Sequence, residues 1–375
     1  MKYYIIAGER SGDLHASNLL KQIKVEDKDA QFRGMGGDLM KKAGAEIFCD
    51  YNAVSYMGFL EVVLHLAKIF QVMNSVKMDL LKYHPDVLIL VDFAGFNMKI
   101  AAFAKKHQIP VYYYISPKIW AWNQKRAYKI KKHVDRMFVI LPFEKEFYKK
   151  FDFEVDYIGN PVNDAVNNFI PDSNVQSMLK QSGKPVIALL PGSRKQEVLN
   201  MLEILKEVSA HFPAYEFVIA GVSNLPQSLY ESIPGFKSIK LVIDQTYNLL
   251  SIAEAAVVTS GTATLETALL GVPQVVVYKT SGISYAIAKM LIKVKFISLV
   301  NLIAGKEVVK ELIQKDFSSA NIIAELSKII TNSDSRKEQL KNYSFIRNLL
   351  GTSSASENAA RLMVQYLQTS KRNSA

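Results

Sequence analysis

The chain has 375 residues and a mass of 42.1 kDa, with 49% hydrophobic and 22% charged residues. These fractions are close to the globular average, so they exclude disordered and low-complexity classes. The single cysteine, Cys49, excludes an internal disulfide, a cysteine-based zinc site and an iron–sulfur cluster. The sequence shows neither a signal-peptide core nor the ~20 apolar residues of a membrane-spanning helix. It therefore predicts a cytoplasmic protein.

The charge of the chain is basic and unevenly distributed. The formal net charge at pH 7 is +11, with an isoelectric point near 9.3. Residues 118–150 alone carry ten lysines or arginines against three acidic residues. This balance favours an anionic partner, which could be a nucleic acid, a phosphorylated ligand or an acidic membrane surface.

The predicted elements in the first half of the chain alternate between strands and helices. Continuous apolar runs indicate strands at 3–7, 87–92, 111–115 and 136–141. Amphipathic runs indicate helices at 14–23, 97–107 and, in the basic region, 118–132. Buried strands separated by helices are typical of a parallel sheet that is covered on both faces.

The same alternation restarts in the second half, after a polar stretch at 169–184 that predicts a linker. Strands are indicated at 186–190, 217–220, 239–243, 256–259 and 275–278, and helices at 197–211, 246–253 and 264–270. The fold class is therefore α/β, with two doubly wound, Rossmann-like domains. We place them at 1–168 and 169–340, followed by a largely solvated helical tail at 341–375.

Ligands of open α/β sheets bind at the carboxyl ends of strands, so the residues after each strand are the first candidates. After the first strand, Gly8 and Gly12 permit close approach of a ligand, and Ser11 can cap the next helix. The segment ends on Asp13 and matches neither the dinucleotide fingerprint nor the Walker phosphate loop. A ligand loop and a plain strand-to-helix turn both fit it.

Asp92 directly follows the apolar residues 87–91. A carboxylate at the carboxyl end of a strand is placed for general-base catalysis. By spacing alone it serves equally well as the N-cap of the next helix. The residues by themselves leave both interpretations open.

Two loops of the second domain share features of a diphosphate-binding site. Gly192, Ser193 and Arg194 follow one strand and offer a close approach, a hydroxyl donor and a guanidinium fork. Small residues at 259–264 follow another strand and leave main-chain N–H groups at a helix start. Glu266 in that helix can accept from ribose hydroxyls or can simply compensate the helix dipole. Together the loops favour a nucleoside diphosphate over two packing turns.

Two segments combine apolar and basic character. Trp120 and Trp122, the two tryptophans of the chain, precede basic residues and can stack on bases or sugars or lie at a lipid headgroup layer. Residues 59–82 predict a helix with one narrow polar stripe, which is typical of a buried helix but also suits acyl chains or a membrane interface. The sequence shows no nucleic-acid-binding motif and no metal-ligand spacing among its six histidines.

Several motifs together resemble the lipid-A-disaccharide synthase family, whose members are glycosyltransferases of the GT-B architecture, with two Rossmann-like domains facing a central cleft. The most specific are Ser-Pro-x-x-Trp-Ala-Trp-x-Gln-Lys-Arg at 116–126 and Asn-Leu-Ile-Ala-Gly at 301–305. Further matches are Gly-Glu-x-Ser-Gly-Asp at 8–13, Met-Gly-Phe-x-Glu at 57–61, Leu-Pro-Phe-Glu-Lys at 141–145, Leu-Pro-Gly-Ser-Arg at 190–194 and Ser-Gly-Thr-Ala-Thr-Leu-Glu at 260–266. The resemblance runs nearly end to end.

The reaction that this resemblance implies joins UDP-2,3-diacylglucosamine to 2,3-diacylglucosamine 1-phosphate, with loss of UDP and inversion at the anomeric carbon. It implies no cofactor and no metal, with Asp92 as the base and Glu266 as the ribose ligand. The diphosphate ligands that it implies are Gly192, Ser193, Arg194, Ser260, Gly261, Thr262 and Thr264. The implied acceptor or substrate loops contain Gly8, Ser11, Gly12, Asp13, Trp120, Trp122 and Asn301. The implied membrane or acyl contacts are Phe59, Leu60, Val63, Leu66 and Phe70.

The resemblance also implies peripheral association with the anionic cytoplasmic face of the inner membrane and no nucleic-acid partner, and it leaves a homodimer open. The sequence departs from the family at two positions. Gly95 stands where members often carry a second acid, so that acid is not required here. Asn160 stands where histidine is common, which puts an acid/base role there in doubt. The alternatives are a UDP-N-acetylglucosamine 2-epimerase-like enzyme on the same fold and a non-catalytic basic protein that binds membranes or nucleic acid.

Overall fold

The computed structural model describes residues 1–53, 65–231, 239–282, 285, 289–290 and 292–374. The chain forms two compact units. The first contains Met1–Pro161 and Thr352–Ala375, and the second contains Val162–Gly351. Each unit is built on its own parallel β-sheet, so the predicted α/β class with two such domains is confirmed.

The first unit has a seven-stranded sheet among its described residues. Its strands are β1 (Lys2–Ala7), β2 (Gln31–Gly36), β3 (Glu46–Asp50), β4 (Val87–Val91), β5 (Val111–Tyr114), β6 (Arg136–Val139) and β7 (Asp156–Tyr157). Its helices begin with α1 (Arg10–Glu26), α2 (Asp38–Lys42), α3 (Leu66–Tyr83), α4 (Ala94–Lys106), α5 (Arg126–His133) and α6 (Phe143–Lys149). The strand order is β3-β2-β1-β4-β5-β6-β7.

The second unit has a six-stranded sheet among its described residues. Helix α7 (Pro161–Asn167) begins at the boundary between the units and is followed by α8 (Ser173–Leu179). The strands are β8 (Val186–Leu190), β9 (Glu216–Gly221), β10 (Lys240–Ile243), β11 (Ala253–Thr259), β12 (Gln274–Tyr278) and β13 (Lys310–Ile313). The helices between and after them are α9 (Lys195–His211), α10 (Gln227–Glu231), α11 (Thr246–Leu250), α12 (Thr262–Leu269), α13 (Leu299–Ala304), α14 (Ser319–Ile329) and α15 (Asp334–Leu350). The strand order is β10-β9-β8-β11-β12-β13.

The C-terminal segment differs from the solvated tail that the sequence suggested. After α15 packs in the second unit, the chain returns to the first unit as α16 (Ala355–Ser374). One face of α16 is buried against α1 and the sheet through Ala359, Met363 and Leu367. The expectation of a separate tail at 341–375 is therefore wrong, because this apolar face completes the core of the first unit.

The polar stretch at 169–184 is not a free linker. Asp172 accepts hydrogen bonds from the main-chain N–H groups of Asn174 and Val175, at 2.9 and 3.4 Å, and thereby caps α8. Leu179 at the end of this helix is fully buried in the second unit. The sequence prediction failed here because one buried leucine gives little hydrophobic periodicity.

The basic helix predicted at 118–132 is also shorter than expected. A single 3-10 turn at Ile119–Ala121 precedes α5, which begins only at Arg126.

The sequence did not predict strands β2 and β3. β2 contains two glycines and polar residues, and the residues of β3 alternate between exposed and half-buried at the sheet edge. Neither strand therefore has the continuous apolar run that marks a central parallel strand.

Candidate active site

The two units carry their candidate loops at equivalent points of their sheets. β1 and β4 are hydrogen-bonded neighbours with Ala7 opposite Val91, so Gly8 and Asp92 follow at the same sheet edge. β8 and β11 are paired in the same way in the second unit. The strand order reverses at both pairs, and ligands of open α/β sheets bind at such reversals.

Asp92 lies in a strained turn that neighbouring side chains hold in place. Asp92 and Phe93 have φ angles of 44° and 46°, in a region that residues with side chains rarely adopt. The buried Asn97 amide donates to the main-chain oxygens of Val91 at 3.1 Å and Asp92 at 2.8 Å. The hydroxyl of Tyr113 donates to the same Asp92 oxygen. Such strain persists only where the surroundings fix it, and it is concentrated at functional sites.

The loop after β1 packs directly on this turn. A Cβ atom at Gly8 would lie only 2.1–2.5 Å from ring atoms of Phe93, so a larger residue would displace the turn. Glu9, the next residue, accepts a hydrogen bond from the Ser11 hydroxyl at 2.8 Å. Glu9 also lies close enough to act electrostatically on Asp92. The structure thus brings the loop at Gly8 and the Asp92 turn, both candidates from the sequence, next to each other in the first unit.

The surroundings of Asp92 make its carboxylate a stronger base than an ordinary aspartate. Burial, with a smaller contribution from Glu9, raises the pKa of Asp92 to about 6 against the opposing effects of Lys118 and the Phe93 N–H group. Such a group is still mostly ionised at neutral pH, as a general base must be. The N-cap position of α4 is occupied by Phe93. The geometry therefore favours the base over the capping interpretation.

Gly12 and Asp13 are buried parts of the α1 framework. Both carboxylate oxygens of Asp13 are engaged at the start of α2, where they accept from the N–H groups of Gly37 at 2.8 Å, Leu39 at 3.0 Å and Met40 at 3.2 Å. This arrangement compensates the N-terminus of a helix. It indicates a positioning role for Asp13 rather than a direct contact with substrate.

The two tryptophans lie in different environments. Trp120 is buried and donates its indole N–H to Glu144 at 3.1 Å, while its ring meets Phe143 edge-to-face. Burial raises the pKa of Glu144 to about 7, even though it also accepts main-chain N–H groups. Trp122 is 39% exposed, and the guanidinium of Arg126 lies 4.3 Å from its ring. Trp120 therefore organises the loop, whereas Trp122 is accessible to a ligand.

The predicted acyl-contact helix is described only from its second part onwards. Phe59, Leu60 and Val63 lie outside the described residues. Leu66 and Phe70 in α3 are 42% and 47% exposed, and the ammonium of Lys99 lies 4.5 Å from the Phe70 ring. The first turns of α3 thus present apolar side chains next to a cation, as the membrane-facing interpretation requires.

In the second unit, the loop after β8 leaves its polar groups accessible. Gly192 has a φ angle of 95°, and a Cβ atom there would lie 2.4 Å from the Glu197 carboxylate. Glu197 accepts hydrogen bonds of 3.3 Å from both the main-chain N–H and the guanidinium of Arg194. The Arg194 side chain is nevertheless 72% exposed, and Ser193 is exposed beside it. This loop has donors available for an anion.

The loop after β11 is anchored at both ends and open between them. The Ser260 hydroxyl donates to the Ile297 main-chain oxygen at 3.0 Å, and the buried Thr264 hydroxyl donates to that of Gly261 at 2.9 Å. Gly261 and Thr262 are exposed, and a Cβ atom at Gly261 would meet nothing within 4 Å. The first turn of α12 therefore offers N–H groups that have no intrahelical partner.

Glu266 and Asn301 differ in how far their polar groups are already used. Glu266 accepts from the Tyr247 hydroxyl at 2.9 Å, and burial raises its pKa. Asn301 is fully buried: its amide nitrogen donates to Val309 and Glu311, both at 2.9 Å, and its oxygen accepts from the Val308 N–H at 2.7 Å. Asn301 in α13 therefore holds the chain that leads into β13, although its motif suggested a substrate contact.

A family model described as lipid-A-disaccharide synthetase matches residues 3–364. The chain belongs to this family. The lipid-A-disaccharide synthase of Syntrophus aciditrophicus (strain SB) is 38% identical over 377 residues, covering 98% of both chains. That of Geobacter sulfurreducens is 34% identical and covers 97% of this chain and 96% of its own. The protein is thus a glycosyltransferase of lipid A biosynthesis.

Solved structures of low sequence identity share the fold of this family member. UDP-GlcNAc 2-epimerase from Neisseria meningitidis, bound to UDP-GlcNAc, is 17% identical with a TM-score of 0.65, over 98% of this chain and 100% of its own. The calicheamicin glycosyltransferase CalG4 is 15% identical with a TM-score of 0.61, over 98% of both chains. The predicted fold, shared by GT-B glycosyltransferases and these epimerases, is confirmed.

The two departures from the family pattern have different surroundings. Gly95 in the first turn of α4 is exposed, and a Cβ atom there would meet nothing within 4 Å. Asn160 is buried and donates to the Ile140 main-chain oxygen at 3.0 Å. Asn160 thus supports the loop after β6, while Gly95 leaves open space beside the Asp92 turn.

The described residues contain neither a membrane-spanning helix nor a cluster of metal ligands. No helix in that part of the chain is both long and apolar enough to cross a bilayer. The same residues contain no group of three or more His, Cys, Asp or Glu side chains placed to hold a metal ion.

Proposed function

We propose that the protein transfers the sugar of UDP-2,3-diacylglucosamine to the 6-hydroxyl of 2,3-diacylglucosamine 1-phosphate in a single inverting displacement. The observation that carries this proposal is the Asp92 turn, in which a partly desolvated carboxylate is held at a topological switch point. A displacement of this kind needs a base for the attacking hydroxyl and stabilisation of the departing diphosphate.

In the proposed step, the carboxylate of Asp92 removes the proton of the acceptor 6-hydroxyl. The bond from that oxygen to the anomeric carbon forms while the bond from the anomeric carbon to the UDP oxygen breaks. The electron pair of the broken bond leaves with UDP, and the proton stays on Asp92 until solvent removes it. A pKa of about 6 suits this exchange, because the group is mostly ionised at neutral pH and is a stronger base than an ordinary aspartate.

The second unit would hold the donor. Arg194 and the N–H groups of Gly192 and Ser193 would supply donors for the diphosphate, together with the N–H groups of Gly261 and Thr262 at the α12 start. Ser260 and Thr264, whose donors are already engaged, would hold this loop in place. Glu266, with its pKa raised by burial and its oxygen bound to Tyr247, would accept from the ribose. In this proposal the cationic fork and helix start stabilise the leaving group without a metal.

The first unit would meet the acylated substrates at the anionic cytoplasmic face of the inner membrane. The exposed side chains of Leu66, Phe70 and Trp122 lie with the basic residues of 118–150 on this unit. Apolar side chains next to cations are the pattern that binds anionic lipid surfaces. A homodimer, and the apolar contacts of Phe59, Leu60 and Val63, stay predictions.

The test is an assay in neutral detergent micelles with both diacylated substrates and EDTA. UDP release and disaccharide formation are followed by mass spectrometry. Product in EDTA supports the reaction and the metal-free clamp together. Product only after Mg²⁺ is added keeps the reaction and overturns the clamp.

Failure of that assay would separate the alternatives. If no disaccharide forms but UDP binds in a separate titration, an epimerase-like reaction on the UDP-sugar is the better interpretation. If UDP does not bind and polynucleotide binding falls steeply with salt, the basic region serves a non-catalytic role.

A further inference from the structure

A pocket of about 240 Å³ opens in the first unit beside the Asp92 turn, between α4 and α5. It begins at Ala94 and Gly95, immediately after the turn, and its apolar lining includes Met98, Ile119 and Ile130. Pockets for whole small molecules usually measure ~300–1,000 Å³. This pocket is therefore sized for one part of a larger ligand.

The polar lining of the pocket is entirely cationic among the described residues. Lys99, Arg126 and Lys129 point to it from two helices, and no carboxylate lines it. Lys99 and Arg126 lie instead over the rings of Phe70 and Trp122, at 4.5 and 4.3 Å. A cation over an aromatic ring keeps its full charge, so both remain available to an anion.

A second pocket of the same unit differs from this one in how its charged side chains are paired. It has a volume of about 520 Å³ and lies at the amino ends of β5 and β6, lined by Lys105, Asp135 and Arg136 among others. There the ammonium of Lys105 is paired with Asp135. That pocket supplies its own counter-charge, whereas the pocket beside Asp92 does not.

We infer that the pocket between α4 and α5 takes the phosphate of a sugar 1-phosphate acceptor, with the apolar floor against its acylated sugar. This inference rests on the proposed function, since it places the far end of the acceptor while Asp92 meets the 6-hydroxyl. The phosphate would lie among Lys99, Arg126 and Lys129. The accessible Phe70 and Trp122 rings would flank the path of the acyl chains.

The test compares two acceptors and three proteins in neutral detergent micelles. The acceptors are 2,3-diacylglucosamine 1-phosphate and the same sugar with a free 1-hydroxyl. The proteins are the wild type, Lys129→Ala and Lys106→Ala. Lys106 is the control because it is an exposed cation at the opposite end of α4 and does not line the pocket.

Lys129→Ala loses one charge-assisted contact, so its kcat/KM for the phosphorylated acceptor should be about 10-fold lower than that of the wild type. The decrease should come from a higher KM for this acceptor. The KM of the UDP-sugar should not change. With the dephosphorylated acceptor, Lys129→Ala and the wild type should differ by less than about 2-fold, because the contact is absent in both. Lys106→Ala should match the wild type with either acceptor.

The inference is overturned if removing the phosphate costs Lys129→Ala as much as it costs the wild type. It is also overturned if Lys129→Ala loses only its binding to anionic vesicles, since the pocket would then recognise lipid headgroups. Direct titration of each protein with the phosphorylated acceptor is measured in parallel. If the wild type makes no disaccharide, the proposed reaction fails, and equal titration curves for wild type and Lys129→Ala would overturn the pocket assignment separately.

Discussion

The turn after β4 and the loop after β8 follow central strands of their sheets, yet they differ in how much of their chemistry is fixed in advance. Asp92 lies in a strained backbone conformation that the Asn97 and Tyr113 side chains hold, and burial raises its pKa to about 6. Arg194 is 72% exposed, and its guanidinium makes one 3.3 Å contact with Glu197. In the proposed reaction, the base must be oriented and partly desolvated before the substrate arrives. The donors that bind the diphosphate must instead stay open until the diphosphate arrives.

The largest expected effect comes from Asp92→Asn. We expect kcat for disaccharide formation to fall by about 10²–10⁴-fold, the usual contribution of a general base, while UDP binding is unchanged. Asparagine tolerates the left-handed backbone region, so the turn should survive. Steady-state kinetics and a UDP titration measure the two effects.

The same variant also has a stability control. The folded-state pKa of Asp92 is raised, so above pH 6 its ionised form is less favourable in the folded than in the unfolded chain. Replacing it with neutral asparagine should therefore leave the unfolding temperature at pH 7.5 equal or higher. Full activity of Asp92→Asn would end the assignment of the base.

Arg194→Ala should have the next largest effect, and it should change the binding of UDP rather than the orientation of the base. Losing a charge-assisted contact to the diphosphate should raise the Kd of UDP by about 10- to 100-fold and lower kcat/KM with it. Because the side chain is exposed, the unfolding temperature should not change. Arg194→Lys, which keeps the charge but loses the fork, should recover part of the affinity. Kinetics identical to the wild type would remove Arg194 from the clamp.

Asn97→Ala tests whether the strained turn depends on its hydrogen bonds. We expect kcat to fall by about 10-fold with unchanged KM for both substrates, because Asp92 loses its orientation. The free energy of unfolding should fall by about 1–3 kcal/mol, since the buried Val91 oxygen and the part-buried Asp92 oxygen each lose a donor. Tyr113→Phe removes a second donor to one of these oxygens and should have a smaller effect of the same kind. A loss of stability with kcat intact would make Asn97 purely structural.

Glu9→Gln should have the smallest effect, and its sign is informative. The Glu9 carboxylate raises the pKa of Asp92, so removing its charge should lower that pKa and move the acidic limb of kcat/KM to lower pH. Relative activity at pH 5.5 should rise about 2-fold, with little change at pH 8. Glu26→Gln, at the other end of α1, removes the same charge at a distance and should leave the limb in place. A shift towards higher pH would contradict the electrostatic contribution of Glu9.

The sequence correctly predicted which candidate residues follow the central strands, because that depends only on position along the chain. Asp92 and Arg194 follow buried strands, and parallel sheets bring such residues to functional edges. It did not predict Asn97, Tyr113 or Tyr247, because their hydrogen bonds join residues whose relation appears only in the folded chain. The motifs also could not distinguish residues that contact a substrate from residues that hold the fold together.

Asp13 and Asn301 illustrate that last difficulty. Both belong to motifs of the family, yet one engages the start of α2 and the other has its amide used within its own unit. The fold was predictable for the central strands, whose apolar runs are continuous. It was not predictable for β2, where Gly34 approaches the Ile5 carbonyl too closely for any Cβ, or for α16, whose partner α1 lies at the far end of the chain.

The measurement that tests the central claim most directly is the pH dependence of kcat/KM for wild type and Asp92→Asn between pH 4.5 and 8.5. The wild type should show an ascending limb with an apparent pKa of about 6, where Asp92 loses its proton. The residual activity of Asp92→Asn should lack that limb. The same limb in both proteins would mean that another group acts as the base.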